Sequence, residues 1–160
     1  MADSGIVLSN GHKILVLGLG VWRAKPELLH SLILEAICLD FCHFHCAIDY
    51  KNEKEVGQAL AEFFRQGLVK RRDLFITTKL WNSDHEHVWK ACEDNFKNLQ
   101  LEYLDLYLVH FPVATSSALD GNEVLDIDVT IALKTTWHAM ENLISTGLVR
   151  SIGISNYDNS

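Results

Sequence analysis

An α/β fold with parallel strands is predicted by this sequence on three observations. A unit of short apolar strand, loop and amphipathic helix recurs along the chain, and strands alternating with helices pair in parallel through right-handed crossovers. At 160 residues, with 48% hydrophobic and 22% charged side chains, the chain is long and apolar enough for a real core, since roughly 70% of the unfolded surface is buried at this size. No Pro/Gly/Ser-rich linker or shift of composition divides it, so residues 1–160 read as one domain.

The elements follow in order. Two apolar runs, Ile6 to Leu8 and Ile14 to Val16, flank Ser9-Asn10-Gly11, and Asn-Gly between such runs signals a hairpin. The first sheet strand is predicted at Val16 to Gly18, and its helix starts at Pro26, a residue suited to a first turn, with Leu29, Leu32, Ile33, Ala36 and Ile37 on one face. Phe41 to His45 is the second strand. A helix over residues 53–66 aligns Val56, Leu60 and Phe63 and stops at Gly67. Leu74 to Thr78 is the third strand; a helix follows the capping residues Asn82-Ser83-Asp84, with Val88, Cys92, Phe96 and Leu99 at helical spacing. Leu104 to Val109 is the fourth strand. The polar stretch Ala114 to Asp128 is longer than an ordinary connection and reads as a functional or mobile loop. Ile131 to Thr146 gives the fourth helix through Leu133, Trp137, Met140 and Ile144, and Ser151 to Ile154 the fifth strand. On periodicity alone, a barrel and an open sheet both satisfy this pattern.

A net charge of −7 argues against nucleic acid or an anionic membrane as the main partner, because both require basic patches. The four cysteines, Cys38, Cys42, Cys46 and Cys92, lack CxxC spacing and the density of a secreted framework, so they read as free thiols in a reducing, cytoplasmic setting. The first residues lack a signal-peptide pattern, and no run approaches the roughly 18 apolar residues of a membrane span.

Each predicted strand ends on residues unusual for packing: Trp22-Arg23, His45, Lys79, His110 and Ser155-Asn156. That edge is where α/β folds build active sites. The stretches around these residues carry a resemblance. Cys46-Ala47-Ile48-Asp49-Tyr50-Lys51-Asn52-Glu53, Asp73-Leu74-Phe75-Ile76-Thr77-Thr78-Lys79-Leu80-Trp81-Asn82, Tyr103-Leu104-Asp105-Leu106-Tyr107-Leu108-Val109-His110-Phe111-Pro112 and Ser151-Ile152-Gly153-Ile154-Ser155-Asn156 resemble, in order and spacing, the motifs of the aldo-keto reductases. Within that family they look most like the plant reductases of aldose 6-phosphates.

The resemblance implies a (β/α)8 TIM barrel, here partial, in which NADPH reduces a carbonyl carbon and a tyrosine protonates its oxygen. Tyr50 matches the tyrosine, Lys79 the lysine that tunes it and His110 the histidine that orients the carbonyl. Trp22 and Trp81 match walls of the substrate pocket, and Gly20, Val21, Trp22, Ser155 and Asn156 match positions near the cofactor. The implied substrate is an aldehyde, a sugar or a sugar phosphate.

Two departures stand out. The family has an aspartate where this chain has His45; it pairs with the lysine, and losing one partner of a buried pair costs about 3 to 5 kcal/mol. Lys79 is therefore expected to drift towards its neutral form and turnover to fall. The second is length: a (β/α)8 barrel takes about 250 residues, so the chain corresponds to five of eight units. An unclosed sheet leaves a free backbone edge and an apolar inner face, both open to association.

Other signals are weaker. Gly18-Leu19-Gly20-Val21-Trp22-Arg23 starts like a dinucleotide fingerprint but lacks the third glycine. His43, His45, His85 and His87 read as solvated side chains, with no metal site. Two functional classes remain: an NADPH-dependent oxidoreductase, or a non-catalytic remnant, either a degenerate product or an interaction partner that borrows strands from a related full-length chain.

Overall fold

The computed structural model describes residues 5–115 and 133–157. The expected loop from residue 116 onward and the first two residues of the fourth predicted helix lie outside them. β1 (Gly5–Val7) and β2 (Lys13–Leu15) form the antiparallel hairpin. A second sheet then runs β3 (Leu19–Gly20), β4 (His43–His45), β5 (Phe75–Leu80), β6 (Leu106–Val109) and β7 (Ile152–Ile154), all parallel and in sequence order. The helices α1 (Pro26–Cys38), α2 (Glu53–Gln66), α3 (Val88–Leu99) and α4 (Leu133–Ser145) are interleaved with these strands. The α/β prediction holds, and five sequential parallel strands are the wall of a partial barrel.

One shared core explains why the helices sit where they do. Leu29 and Ile33 of α1, Val56, Leu60 and Phe63 of α2, Cys92 and Leu99 of α3, and Met140 and Leu143 of α4 join Phe44, Ile76, Leu80, Tyr107 and Val109 from the outer face of the sheet in a single buried cluster. Side chains alternate across a strand, so His43, His45, Thr77 and Lys79 turn to the opposite, inner face. That face carries these polar groups beside the apolar Phe75, Leu106 and Leu108.

Several boundaries differ from expectation. Barrel pairing begins at Leu19 rather than Val16, because the His43 ring lies against the preceding segment: its Nδ1 donates to the Leu15 carbonyl at 3.2 Å, and a Cβ on Gly18 would lie 2.7 Å from that ring. Val16 and Leu17 stay exposed. Asn82-Ser83-Asp84 form a short 3-10 turn and α3 begins only at Val88. The cause is His85, which is buried and bonds Thr136 of α4 at 3.2 Å. His43 and His85 are thus structural residues, which corrects their reading as solvated; His87 is exposed.

Below the sheet, Asp105 receives Arg71 at 2.7 Å, Arg150 at 3.3 Å and the Ile76 backbone N–H at 2.9 Å. The Tyr103 ring lies under both guanidiniums, at 3.9 and 3.8 Å. The Asn10 side chain of the hairpin loop donates to the Arg150 carbonyl at 2.8 Å and the Ser151 hydroxyl at 2.9 Å. The hairpin is thereby stapled to the start of β7. β3 and β7 are the outermost strands, and an apolar hollow of about 420 Å³ lined by Val109, Trp137, Ile154 and Tyr157 runs along β7.

Candidate active site

The strand tips converge as the sequence suggests. Lys79, 2% exposed on β5, donates from Nζ to the Tyr50 hydroxyl at 2.8 Å and to the Cys46 carbonyl at 3.0 Å. Tyr50 closes a 3-10 turn, Ile48–Tyr50, that leaves β4; Lys51 completes it in the left-handed region at φ 56°. His110 follows β6, its ring 6.1 Å from that of Tyr50. Trp81 meets the His110 ring edge-on at 5.1 Å and Phe111 stacks on it at 4.8 Å.

Electrostatics follow from burial. Burial holds the Lys79 ammonium down to about 8, while the carboxylates of Glu53 and Asp49 pull it back up. Burial also pushes the Tyr50 phenol above its ordinary value, assisted by Asp49, so the phenol is fully protonated at neutral pH. His110 is held down to about 4 by burial and by Lys79. Its Nδ1 is buried without a hydrogen-bond partner among the described residues. An unsatisfied acceptor is better tolerated than an unsatisfied N–H, which puts the ring proton on Nε2 and makes His110 a neutral donor.

His45 lies on the inner face, its ring 6.3 Å from that of His43. Burial, then Lys79, hold it down to about 4, so it is neutral and adds no counter-charge. The Cys46 carbonyl accepts a hydrogen bond from the Lys79 ammonium, and the carboxylates that favour its charge are those of Glu53 and Asp49.

Other expected residues take different places. Asn156 donates to the His110 carbonyl at 2.8 Å and to the Ser155 hydroxyl at 3.0 Å, tying the tip of β7 to that of β6. Gly20 has an open face, where an added Cβ would meet nothing within 4 Å. Trp22 is 60% exposed with Arg23 over its ring at 4.3 Å. Val21 differs: its side chain is in the core, its N–H bonds His45 and its carbonyl accepts from Ala24 and Asn52. Through these bonds it shapes the Trp22 loop. A hollow of about 470 Å³ adjoins the site at Trp81, Asp49 and Lys51 but is not lined by Tyr50, Lys79 or His110, so it is a neighbour of the site.

Sequence reasoning missed a buried polar network behind the tips. Glu53, 2% exposed, accepts from the Thr78 hydroxyl at 2.5 Å and from Asn95 at 3.1 and 2.9 Å, and Tyr107 donates to Asn95 at 3.0 Å. One signal was present: Asn95 falls on the apolar stripe of α3 between Cys92 and Leu99.

The sequence matches the Aldo/keto reductase family over residues 16–160. The chain belongs to that family. It is similar to the NADP-dependent D-sorbitol-6-phosphate dehydrogenase of Malus domestica, 53% identical across 97% of this chain and 53% of that protein. It is also similar to the NAD(P)H-dependent D-xylose reductase of Pachysolen tannophilus, 44% identical across 93% of this chain and 50% of that one. Among solved structures, aldose reductase from Schistosoma japonicum superposes with TM-score 0.87 at 39% identity, covering 98% of this chain and 54% of that one. A Bombyx mori aldo-keto reductase in complex with NADP superposes at 0.84 and 38%, covering 97% and 51%. This reductase-family chain spans about half the length of these relatives. Among the described residues no helix is long and apolar enough to cross a membrane.

Proposed function

We propose that the chain supplies the proton-transfer half of an NADPH-dependent carbonyl reductase acting on an aldose or aldose 6-phosphate in the cytoplasm. The observation that carries this reading is the 2.8 Å bond between Lys79 and Tyr50, beside the His110 ring. Tyr50 is a loaded acid: its phenol keeps its proton at neutral pH until an oxygen of rising charge accepts it. The Lys79 ammonium then stabilises the phenolate left behind, and neutral His110 orients the carbonyl with one N–H. Ser155 and Asn156 offer the hydroxyl and amide that would hold the nicotinamide carboxamide, and the open face of Gly20 beside Trp22 leaves room for the ring. When bound, the nicotinamide supplies the hydride. The 53% identity to a sorbitol-6-phosphate dehydrogenase supports a sugar phosphate over a simple aldehyde.

A second reading, a non-catalytic chain that associates with a related one, is favoured by neutral His45 beside Lys79 and by outermost strands β3 and β7. One experiment separates them. NADPH is titrated against the chain, and its absorbance is then followed with an aldose 6-phosphate and with the free aldose. Consumption lost in Tyr50→Phe supports the reductase; binding without consumption supports the second reading.

A further inference from the structure

We propose that Glu53 is a positioning residue whose buried carboxylate, through Thr78, Asn95 and Tyr107, sets the spacing of the three elements that carry Tyr50, Lys79 and His110. The inference rests on the reductase reading for its purpose but on geometry for its content. Glu53 opens α2 three residues after Tyr50, and its Oε1 accepts from Thr78, the residue before Lys79, at 2.5 Å. Asn95 of α3 donates to both Glu53 oxygens and accepts from Tyr107, three residues before His110. Thr78 and Tyr107 are register partners across β5 and β6. One step earlier, Asn52 donates to the carbonyls of Val21 and Ala24 at 2.9 and 3.3 Å, which fixes the Trp22 loop to the same turn. The Asn52-Glu53 pair thus joins four strand tips from behind the sheet, with every member of the chain from Glu53 to Tyr107 buried.

Cost decides that this network is more than filling. A carboxylate taken out of water requires several donors, and an apolar set in place of these four residues would pack without that demand. Burial pushes the Glu53 carboxyl above its ordinary value, and the bonds from Thr78, Asn95 and Asn98, with the charge of Lys79, pull the other way. In a site whose usual aspartate is His45, this carboxylate is one of the charges that keep Lys79 an ammonium. The groups that bear on Lys79 are Cys46, Asp49, Tyr50 and Glu53 from the β4–α2 segment, His45 from β4 and His110 just after β6.

The test is a titration of Lys79 in the 160-residue chain, by NMR of labelled lysine side chains with the signal assigned through Lys79→Met. The midpoint expected for the unaltered chain is about 8. Glu53→Gln, which sets a donor against Asn95, and Thr78→Val, which strips one hydroxyl, are each expected to lower it by about one unit, a tenfold loss of ammonium at fixed pH. Thr78→Ser keeps the hydroxyl and is expected to restore the original midpoint, which a purely structural role has no reason to do. An unchanged midpoint in a folded Glu53→Gln or Thr78→Val chain overturns the proposal. Should both fail to fold while Thr78→Ser is native, Tyr107→Phe is read instead, and an unmoved midpoint or a third failure to fold shows a role in folding alone and overturns it equally. NADPH consumption is measured in parallel: a moved midpoint without reduction in any chain refutes the reductase reading and leaves the positioning role standing.

Discussion

Restoring a carboxylate at position 45 tests how the charge on Lys79 is maintained. Burial takes the Lys79 ammonium from 10.5 to about 8, a bias of about 3 kcal/mol against the charged form at this 2%-exposed position. A carboxylate at roughly 4 Å contributes about 4 kcal/mol of attraction at an effective dielectric near 20, enough to offset that bias. Neutral His45 supplies none of it. His45→Asp, in a full-length barrel that carries this segment, is therefore expected to leave reduction almost unchanged near pH 6.5, where Lys79 is charged in either case. At pH 9, with a midpoint of 8, about a tenth of Lys79 remains charged, and the substitution is expected to raise the rate about tenfold. The assay is the initial rate of NADPH consumption across that range at saturating sugar. Superimposable profiles for the two proteins would refute the reasoning.

Other consequences are equally direct. Tyr50→Phe removes the proton donor but no core contact, and reduction is expected to fall by about 10² to 10⁴ with an unchanged thermal midpoint. His45 and His110 are held near 4 in the fold against 6.5 when unfolded, so the unfolded chain takes up protons first. Stability should be fully present above about pH 6.5 and decline towards pH 4, by on the order of 1 kcal/mol per histidine after screening; urea titrations of His45→Phe should show a shallower decline. Gly57→Ala would place a Cβ 2.3 Å from the Asn98 carbonyl oxygen where α2 meets α3, and a loss of about 1 to 3 kcal/mol is expected in denaturant unfolding. Arg71→Ala takes from buried Asp105 its shorter guanidinium contact, leaving the longer one from Arg150 and the Ile76 N–H, and a loss approaching 3 to 5 kcal/mol is expected in the same measurement.

The sheet and the tips of its strands were legible because apolar periodicity and strand-end chemistry are local signals. Leu29, Ile33, Val56, Leu60 and Phe63 lie on the faces expected of them, and Tyr50, Lys79 and His110 lie near one another beyond the strand ends. What escaped notice depends on tertiary partners. The start of β3 is displaced by a histidine two strand positions before His45, and α3 is delayed because His85 finds Thr136, a residue 51 positions away. Glu53 looked like an ordinary acidic residue in a first helical turn, a place that favours negative charge on its own. Only the approach of Asn95 and Thr78 shows it to be buried.

The staple between Asn10 and the Arg150–Ser151 segment bears on how the chain acquires its structure. The joined residues are 140 and 141 positions apart, and the entropy of closing so large a loop must be met before the contact can form. The hairpin emerges during synthesis before every strand of the larger sheet, yet it has nothing to grip until β7 exists. The hairpin, made before those strands, is therefore secured after them, and amide exchange in Gly5 to Leu15 should gain protection only once β7 has paired with β6.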